Sequence, residues 1–169
     1  MGKLEVGGLT PPTATVRRQM QSQKTAGTKI EMAVRRRLHA QGYRYRVNCR
    51  LLPDRRFTGD IAWRGRRLVV FLDGCFWHGC PIHGTTPKSN QEWWEAKIAA
   101  NRERDQCVDE LLTARGWTVL RFWEHDDPAA VTDCVVDHLE RLCADHDKER
   151  VLAADSEPTL RTVRPAPIS

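Results

Sequence analysis

Between Asp73 and His83 the chain sets a carboxylate, two thiols, two imidazoles and two adjacent aromatics: DGCFWHGCPIH. Thiolates and imidazoles are the usual ligands of tetrahedral zinc, and Cys75-x4-Cys80-x2-His83 supplies three of them. A fourth must come from elsewhere. His125 is the best candidate, because it lies two residues past an apolar segment, Trp117–Trp123, that could run beside the one preceding Asp73. His78 competes as a ligand, although it follows two aromatics directly. Ligands that clamp a loop at a strand end describe a closed, structural site. The alternative is a set of unrelated reduced cysteines and surface histidines. Cys107, Cys134 and Cys143 fall in helical patterns and read as small buried apolar residues.

Asp60 is the second chemical feature. It follows Thr58-Gly59 and precedes Ile61-Ala62, a charge inside a segment otherwise built for burial. A buried carboxylate is costly unless it is paired or bound to a cation. One reading pairs it with a neighbouring arginine. The other joins Asp60, backbone carbonyls and the His78 imidazole around one Mg²⁺, the minimum for metal-assisted phosphodiester hydrolysis with His78 moving protons. Phe76, Trp77 and Trp94 are either core aromatics or wedges for base steps in distorted DNA. Glu31 is either a first-turn acid favoured by a helix dipole or a functional group.

These residues need elements to position them. Phe57 to Trp63, a turn at Arg64-Gly65 and the apolar run Leu68–Leu72 predict a β-hairpin whose second strand is covered on both sides. Glu92 to Arg115 predicts a long helix, with Asn101 and Asp105 interrupting its apolar face, and Trp117–Trp123 predicts a strand after it. Strand, helix and strand imply a parallel crossover. Ile30, Val34 and Leu38 predict a helix over 28–41 that ends at Gly42. Tyr43, Tyr45 and Val47 predict a strand with a basic outer face. Asp126 or Asp127 caps a last helix with Pro128 in its first turn and Val131, Val135, Leu139 and Leu142 inward. The whole reads as one α/β domain over 17–145, with a central mixed sheet flanked by helices. Residues 1–16 read as a disordered leader and 146–169 as a disordered tail, and Arg17-Arg18-Gln19-Met20, just after the leader, could belong to an arm that orders on DNA.

At 169 residues the chain is long enough for one real core, and its net charge of +5, with arginine far outnumbering lysine, favours a phosphate-bearing partner. No window reaches the apolar length of a membrane span, and residues 1–27 lack a signal-peptide core. The expectation is a cytoplasmic protein, without disulfides.

GCFWHG after a strand and a TGD hairpin, EWWEAKI–N–ERD and GW-x-VLRFWE together resemble the very short patch repair (Vsr) endonucleases, over roughly residues 17–127. The resemblance implies a restriction-endonuclease-like (PD-(D/E)xK-type) fold, a catalytic Mg²⁺ and a structural Zn²⁺. It implies nicking of one strand of duplex DNA beside a T·G mismatch left by 5-methylcytosine deamination. That activity would link the protein to a cytosine-5 DNA methyltransferase, with mismatch-repair proteins as further candidate partners and a monomer as the expected state.

Position by position, Asp60 matches the magnesium-binding aspartate, His78 the catalytic histidine and Glu31 a helical glutamate supporting that histidine or the metal-bound water. Leu72 would offer its backbone carbonyl to the metal. Met20, Phe76, Trp77 and Trp94 match wedge residues, and Lys97 and Asn101 match contacts to the mismatch region. Two departures stand out. Asp73 occupies the position where better-known members carry a histidine, and could add a metal ligand or reshape the site. The zinc set Cys75, Cys80, His83 and His125 also differs in spacing and type from the usual one. A restriction nuclease of the same fold and a non-catalytic zinc-stabilised DNA-binding module are the competing functions.

Overall fold

In this computed structural model the described residues are 27–85 and 87–155, with side chains to residue 144. Helix α1, Lys29–Ala40, starts where the Thr28 hydroxyl accepts the Glu31 N–H at 3.4 Å. Its apolar stripe, Ile30, Val34 and Leu38, is buried as the spacing predicts. The helix ends in a Schellman-type turn. Gly42 adopts φ +90°, while the Gly42 and Tyr43 N–H groups donate to the His39 and Leu38 carbonyls at 3.1 and 3.0 Å.

That turn corrects one expectation. The first strand, β1, is Arg46–Arg50 rather than a segment beginning at Tyr43. The Tyr43 N–H is occupied in closing the helix. Tyr45 packs back, its hydroxyl donating to the Arg35 carbonyl at 2.8 Å and its ring 5.9 Å from Trp63. The alternation of tyrosine and arginine therefore marks packing against α1, and not strand pairing.

Strands β2, Thr58–Trp63, and β3, Leu68–Asp73, form the expected antiparallel hairpin, with Ile61 opposite Val70. A short 3-10 turn over Arg64–Arg66 joins them. Helix α2, Gln91–Ala114, then carries the chain to β4, Thr118–Trp123. As predicted, β4 lies parallel to β3, with Leu72 opposite Phe122 and Asp73 opposite Trp123. The sheet order is β1-β2-β3-β4, antiparallel except at its last pair.

The last helix, α3, is Pro128–Asp155, and Asp127 caps it by accepting the Ala130 N–H at 3.1 Å. It runs ten residues past 145, where the sequence pattern ends the domain (155 against 145). Lys, Glu, Arg, Leu and Ala dominate 148–154, and such good helix formers extend a helix without any apolar stripe to announce them.

Alternation along β3 separates two cores. Leu68 and Val70, with Ile61 and Trp63, pack under α1 and α3 against Val34, Leu38, Val131, Val135 and Leu139. Val69 and Phe71, with Ala62, pack on the other face against Leu112, Trp117, Leu51 and Leu52. Among the described residues no helix is long and apolar enough to cross a membrane.

Candidate active site

Past Asp73 the chain coils tightly at the sheet's end. His78 N–H donates to the Gly74 carbonyl at 3.2 Å and Cys80 N–H to the Cys75 carbonyl at 2.9 Å. Gly79 takes φ +63°, and a Cβ there would lie 2.7 Å from Ile98 on α2, so the loop can press on the helix only without a side chain. This coil brings Cys75 and Cys80 to His83, and the parallel β4 delivers His125 to the same place. The four ligand atoms lie within 4.8 Å of one another, with Cys75 Sγ 3.0 Å from His125 Nδ1. Tetrahedral zinc with these donors needs ligand separations of about 3.3–3.8 Å. Small adjustments would close the site. Burial, with Cys80 and Glu124 beside it, pushes the Cys75 thiol up to about 12, so a cation is what would draw it into a thiolate. Burial also works to raise the Cys80 thiol, but hydrogen bonds from the His83 and Ile82 backbone and from Cys75 outweigh it and hold that thiol below its ordinary value. Two thiolates and two imidazoles make a donor set suited to zinc, with no open position.

The Asp60 carboxylate sits between β2 and β3, with the Leu72 N–H donating to its Oδ2 at 2.8 Å. Burial is the main force raising it, to about 6, and the charges of Glu31 and Asp73 add to this against that N–H bond. Unbalanced negative charge at a half-buried carboxylate is what a divalent cation relieves, so the residues present fit Mg²⁺. Glu31 is buried in the first turn of α1, accepting the Gly27 N–H at 2.6 Å and pairing with Arg35 at 3.2 Å.

His78 points toward α2, where its Nδ1 is hydrogen-bonded to the Asp105 carboxylate, and Asp73 Oδ1 lies 3.7 Å from the same nitrogen. Burial works to raise the Asp105 carboxyl, but His78, Arg121 and Arg104 outweigh it and hold the group below its ordinary value. A cavity of about 340 Å³ opens here, lined by Asp73, His78, Arg102, Asp105, Arg121 and Trp123 among others. Arg121 binds both oxygens of Asp73 and of Asp109. Those carboxylates keep its guanidinium protonated against the opposing effect of burial.

Phe76 and Trp77 form a half-buried aromatic pair, ring centroids 5.0 Å apart. Trp94 lies beneath them at 5.1 and 6.1 Å and is itself buried. Asn101, equally buried, donates to the Trp77 carbonyl at 2.9 Å.

A family model described as DNA mismatch endonuclease Vsr matches residues 12–83. The type II nicking enzyme V.NaeI of Lentzea aerocolonigenes is 43% identical over 134 residues, covering 78% of this chain and 81% of the relative. The DNA mismatch endonuclease Vsr of Escherichia coli is 36% identical over 113 residues, covering 66% and 70%. The chain belongs to the Vsr family. The type II nicking enzyme V.XorIIP of Xanthomonas oryzae, 47% identical over 107 residues, covers 62% of this chain and 76% of its own length.

For a Vsr-family protein, the residues singled out from sequence fall into three groups. Asp60, Leu72, Asp73 and His78 gather at the end of β3, and Cys75, Cys80, His83 and His125 gather beside them. Phe76 and Trp77 are half-buried in the loop between Cys75 and His78, and Lys97, also half-buried, lies one helical turn past Trp94 on α2. Trp94 and Asn101 differ from their expected position at a DNA-facing surface: they support the aromatic loop from below. Burial of Trp94 follows from its place in the first turn of α2, directly under the coil. The bond to Trp77 gives the polar interruption at Asn101 its reason. Glu31 acts on the Asp60 side by charge, while the carboxylate bonded to His78 is Asp105. Met20 lies outside the described residues.

Three further residues had no sequence prediction as site groups: Asp105, Arg121 and Glu124. Glu124 accepts the Cys75 N–H at 2.7 Å and fastens the loop to the end of β4. Only Asp105 left a signal, as a charge on the apolar face of α2.

Proposed function

We propose that this protein nicks one strand of duplex DNA beside a T·G mismatch, by Mg²⁺-dependent phosphodiester hydrolysis. The observation that carries this reading is the meeting of Asp60 and the His78–Asp105 pair at one strand end, with Phe76 and Trp77 alongside. Strand nicking and mismatch recognition are the activities named for the relatives, which supports carrying them to this chain.

Asp60 and the Leu72 carbonyl would hold Mg²⁺, which when bound supplies charge stabilisation at the scissile phosphate. His78 has its Nδ1 bonded to Asp105, which leaves Nε2 to take the proton of an attacking water. Glu31 adds negative potential that favours the cation, while Arg121, bound to both oxygens of Asp73, offsets the charge of that carboxylate. Phe76 and Trp77 would enter a weakened base step, with Trp94 and Asn101 as their floor and Lys97 beside them. Zn²⁺ on Cys75, Cys80, His83 and His125 would fix the loop carrying both the wedge and the base. A mixed sheet covered on both faces, with carboxylates at a strand end, supports a restriction-endonuclease-like fold. The T·G substrate arises by deamination of 5-methylcytosine, so a cytosine-5 DNA methyltransferase would act upstream in the same compartment, the cytoplasm. The working unit would be a monomer on its DNA.

The test is a nicking assay on T·G, T·A and C·G duplexes, with and without Mg²⁺. Selective, Mg²⁺-dependent nicking of the T·G duplex is the expected result. Equal cutting of paired DNA would indicate a restriction-type nuclease, and binding without nicking a DNA-binding module.

A further inference from the structure

Arg121 on β4 is the most heavily engaged side chain near the site. Its guanidinium carbon lies 4.4 Å over the Phe71 ring, on the sheet face that looks toward α2. Nη1 donates to both Asp73 oxygens at 2.9 and 2.8 Å, and Nε to both Asp109 oxygens at 3.0 and 2.8 Å. Nη2 donates to the Asp105 carbonyl at 3.5 Å, and the Asp105 carboxylate lies 3.9 Å away. This is not a solvated surface pair: the Arg121 and Asp73 side chains are only 22% and 12% exposed.

The arrangement settles a competition. His78 Nδ1 carries at most one proton and can donate it in one direction. Two carboxylates are near it, Asp105 in hydrogen-bond contact and Asp73 at 3.7 Å. Asp73 also follows Leu72, whose N–H holds Asp60, so a released Asp73 carboxylate would sit beside the Asp60 cation site as well. With both its oxygens on Arg121, Asp73 is committed elsewhere.

We infer that Arg121 is a positioning residue: by holding both oxygens of Asp73 it reserves His78 Nδ1 for Asp105 and keeps Asp73 off the cation at Asp60. The inference rests on the roles proposed above for Asp60 and His78. Removing the guanidinium harms the site chiefly through the carboxylate it sets loose. Neutralising that carboxylate in the same molecule repairs much of the harm.

The experiment is a four-member cycle of wild type, Asp73→Asn, Arg121→Gln and the double variant. Single-turnover nicking of a T·G duplex is measured at saturating protein, and Mn²⁺ binding to DNA-free protein by electron paramagnetic resonance. Arg121→Gln should slow nicking by about 10²-fold, as loss of a positioned proton-transfer group does. The double variant should recover at least about tenfold of that loss, since the two side chains are in direct contact and their effects are not additive. Asp73→Asn should bind Mn²⁺ as wild type does, whereas Arg121→Gln should bind it more tightly or in greater number. A double variant no faster than Arg121→Gln, or loss of Mn²⁺ binding in Asp73→Asn, would overturn the inference. If Arg121→Gln does not fold, the Asp73→Asn binding result decides alone: unchanged binding supports withholding of Asp73 and lost binding makes Asp73 a ligand. Asp60→Asn serves as a control, because full nicking by that variant would remove the proposed site itself, whatever Arg121 does.

Discussion

The two faces of the sheet are built from alternate residues of the same strands, yet one is sealed along its length and the other gives way at its end. Under α1 and α3, the core residues Leu38, Ile61, Leu68, Val70, Val135 and Leu139 are at most 1% exposed. Under α2, Val69 and Leu112 are sealed equally well, but continuing along β3 leads from Phe71 to Asp73 and into the carboxylate network around Arg121. Helix α2 matches this change, with Leu112 buried in its last turns and Asn101 and Asp105 facing the site nearer its start. At that end, charge pairs and the Cys/His group take over from apolar contact. An apolar seal tolerates small shifts, whereas a proton-transfer pair needs fixed geometry. Directional contacts provide it.

If zinc joins the two strands at the open end, its removal should have the largest effect. Binding at such sites is itself folding free energy, on the order of 10 kcal/mol in small zinc domains. Cys80→Ser should lose most of its zinc by elemental analysis and unfold at lower temperature. Full zinc content with unchanged stability would break the contrast between the ends.

Catalysis should come next. Asp60→Ala should abolish nicking while retaining DNA binding, and His78→Ala should slow it by about 10²–10⁴-fold. Wild-type rates from either variant would move the chemistry away from the β3 end. The sealed face gives the converse. Leu139→Ala should lower unfolding free energy by about 2–5 kcal/mol, through lost burial and a cavity, with the nicking rate of the folded fraction kept. Denaturant titration paired with single-turnover kinetics reads both.

A subtler effect follows from Asp60. Its carboxyl titrates at about 6 in the fold, against roughly 3.9 in an unfolded chain. The unfolded chain therefore loses this proton first, and between those values stability falls as pH rises. The penalty is complete above about pH 6 and absent below about pH 4. Asp60→Asn should thus stabilise magnesium-free protein at neutral pH by about 2–3 kcal/mol and leave it unchanged at low pH. A pH-independent difference would mean that Asp60 is not held at the expense of stability.

The smallest expected change is in discrimination. Replacing Phe76 and Trp77 by alanine should narrow the T·G to T·A nicking ratio while non-specific binding, carried by phosphate contacts, persists. An unaltered ratio would assign those rings to packing of the loop on Trp94.

The sequence alone determined whatever depends on local periodicity and ligand chemistry. The stripes of α1 and α3, the doubly covered β3, the parallel crossover and a cap at Asp126 or Asp127 all follow from spacing and turn residues. So does the choice of Cys75, Cys80, His83 and His125 as a candidate ligand group and of Asp60 and His78 as candidate site residues, whose types are conspicuous where they stand. Only the tertiary structure decided which charges act together. Asp105 contacts His78 from 27 positions away, Arg121 contacts Asp73 from 48 and Glu124 contacts Cys75 from 49. In so charge-rich a chain, a helical aspartate or a strand arginine is indistinguishable from one that faces water. Parallel pairing of β4 with β3 sets Arg121 beside Phe71 and Asp73, and packing of α2 across that face brings Asp105 to the imidazole. Those contacts depend on register between distant segments: residue pattern forbids a one-residue slip, which would turn the buried face outward, but a shift by two keeps every side chain on its face, and only the folded sheet picks among such registers.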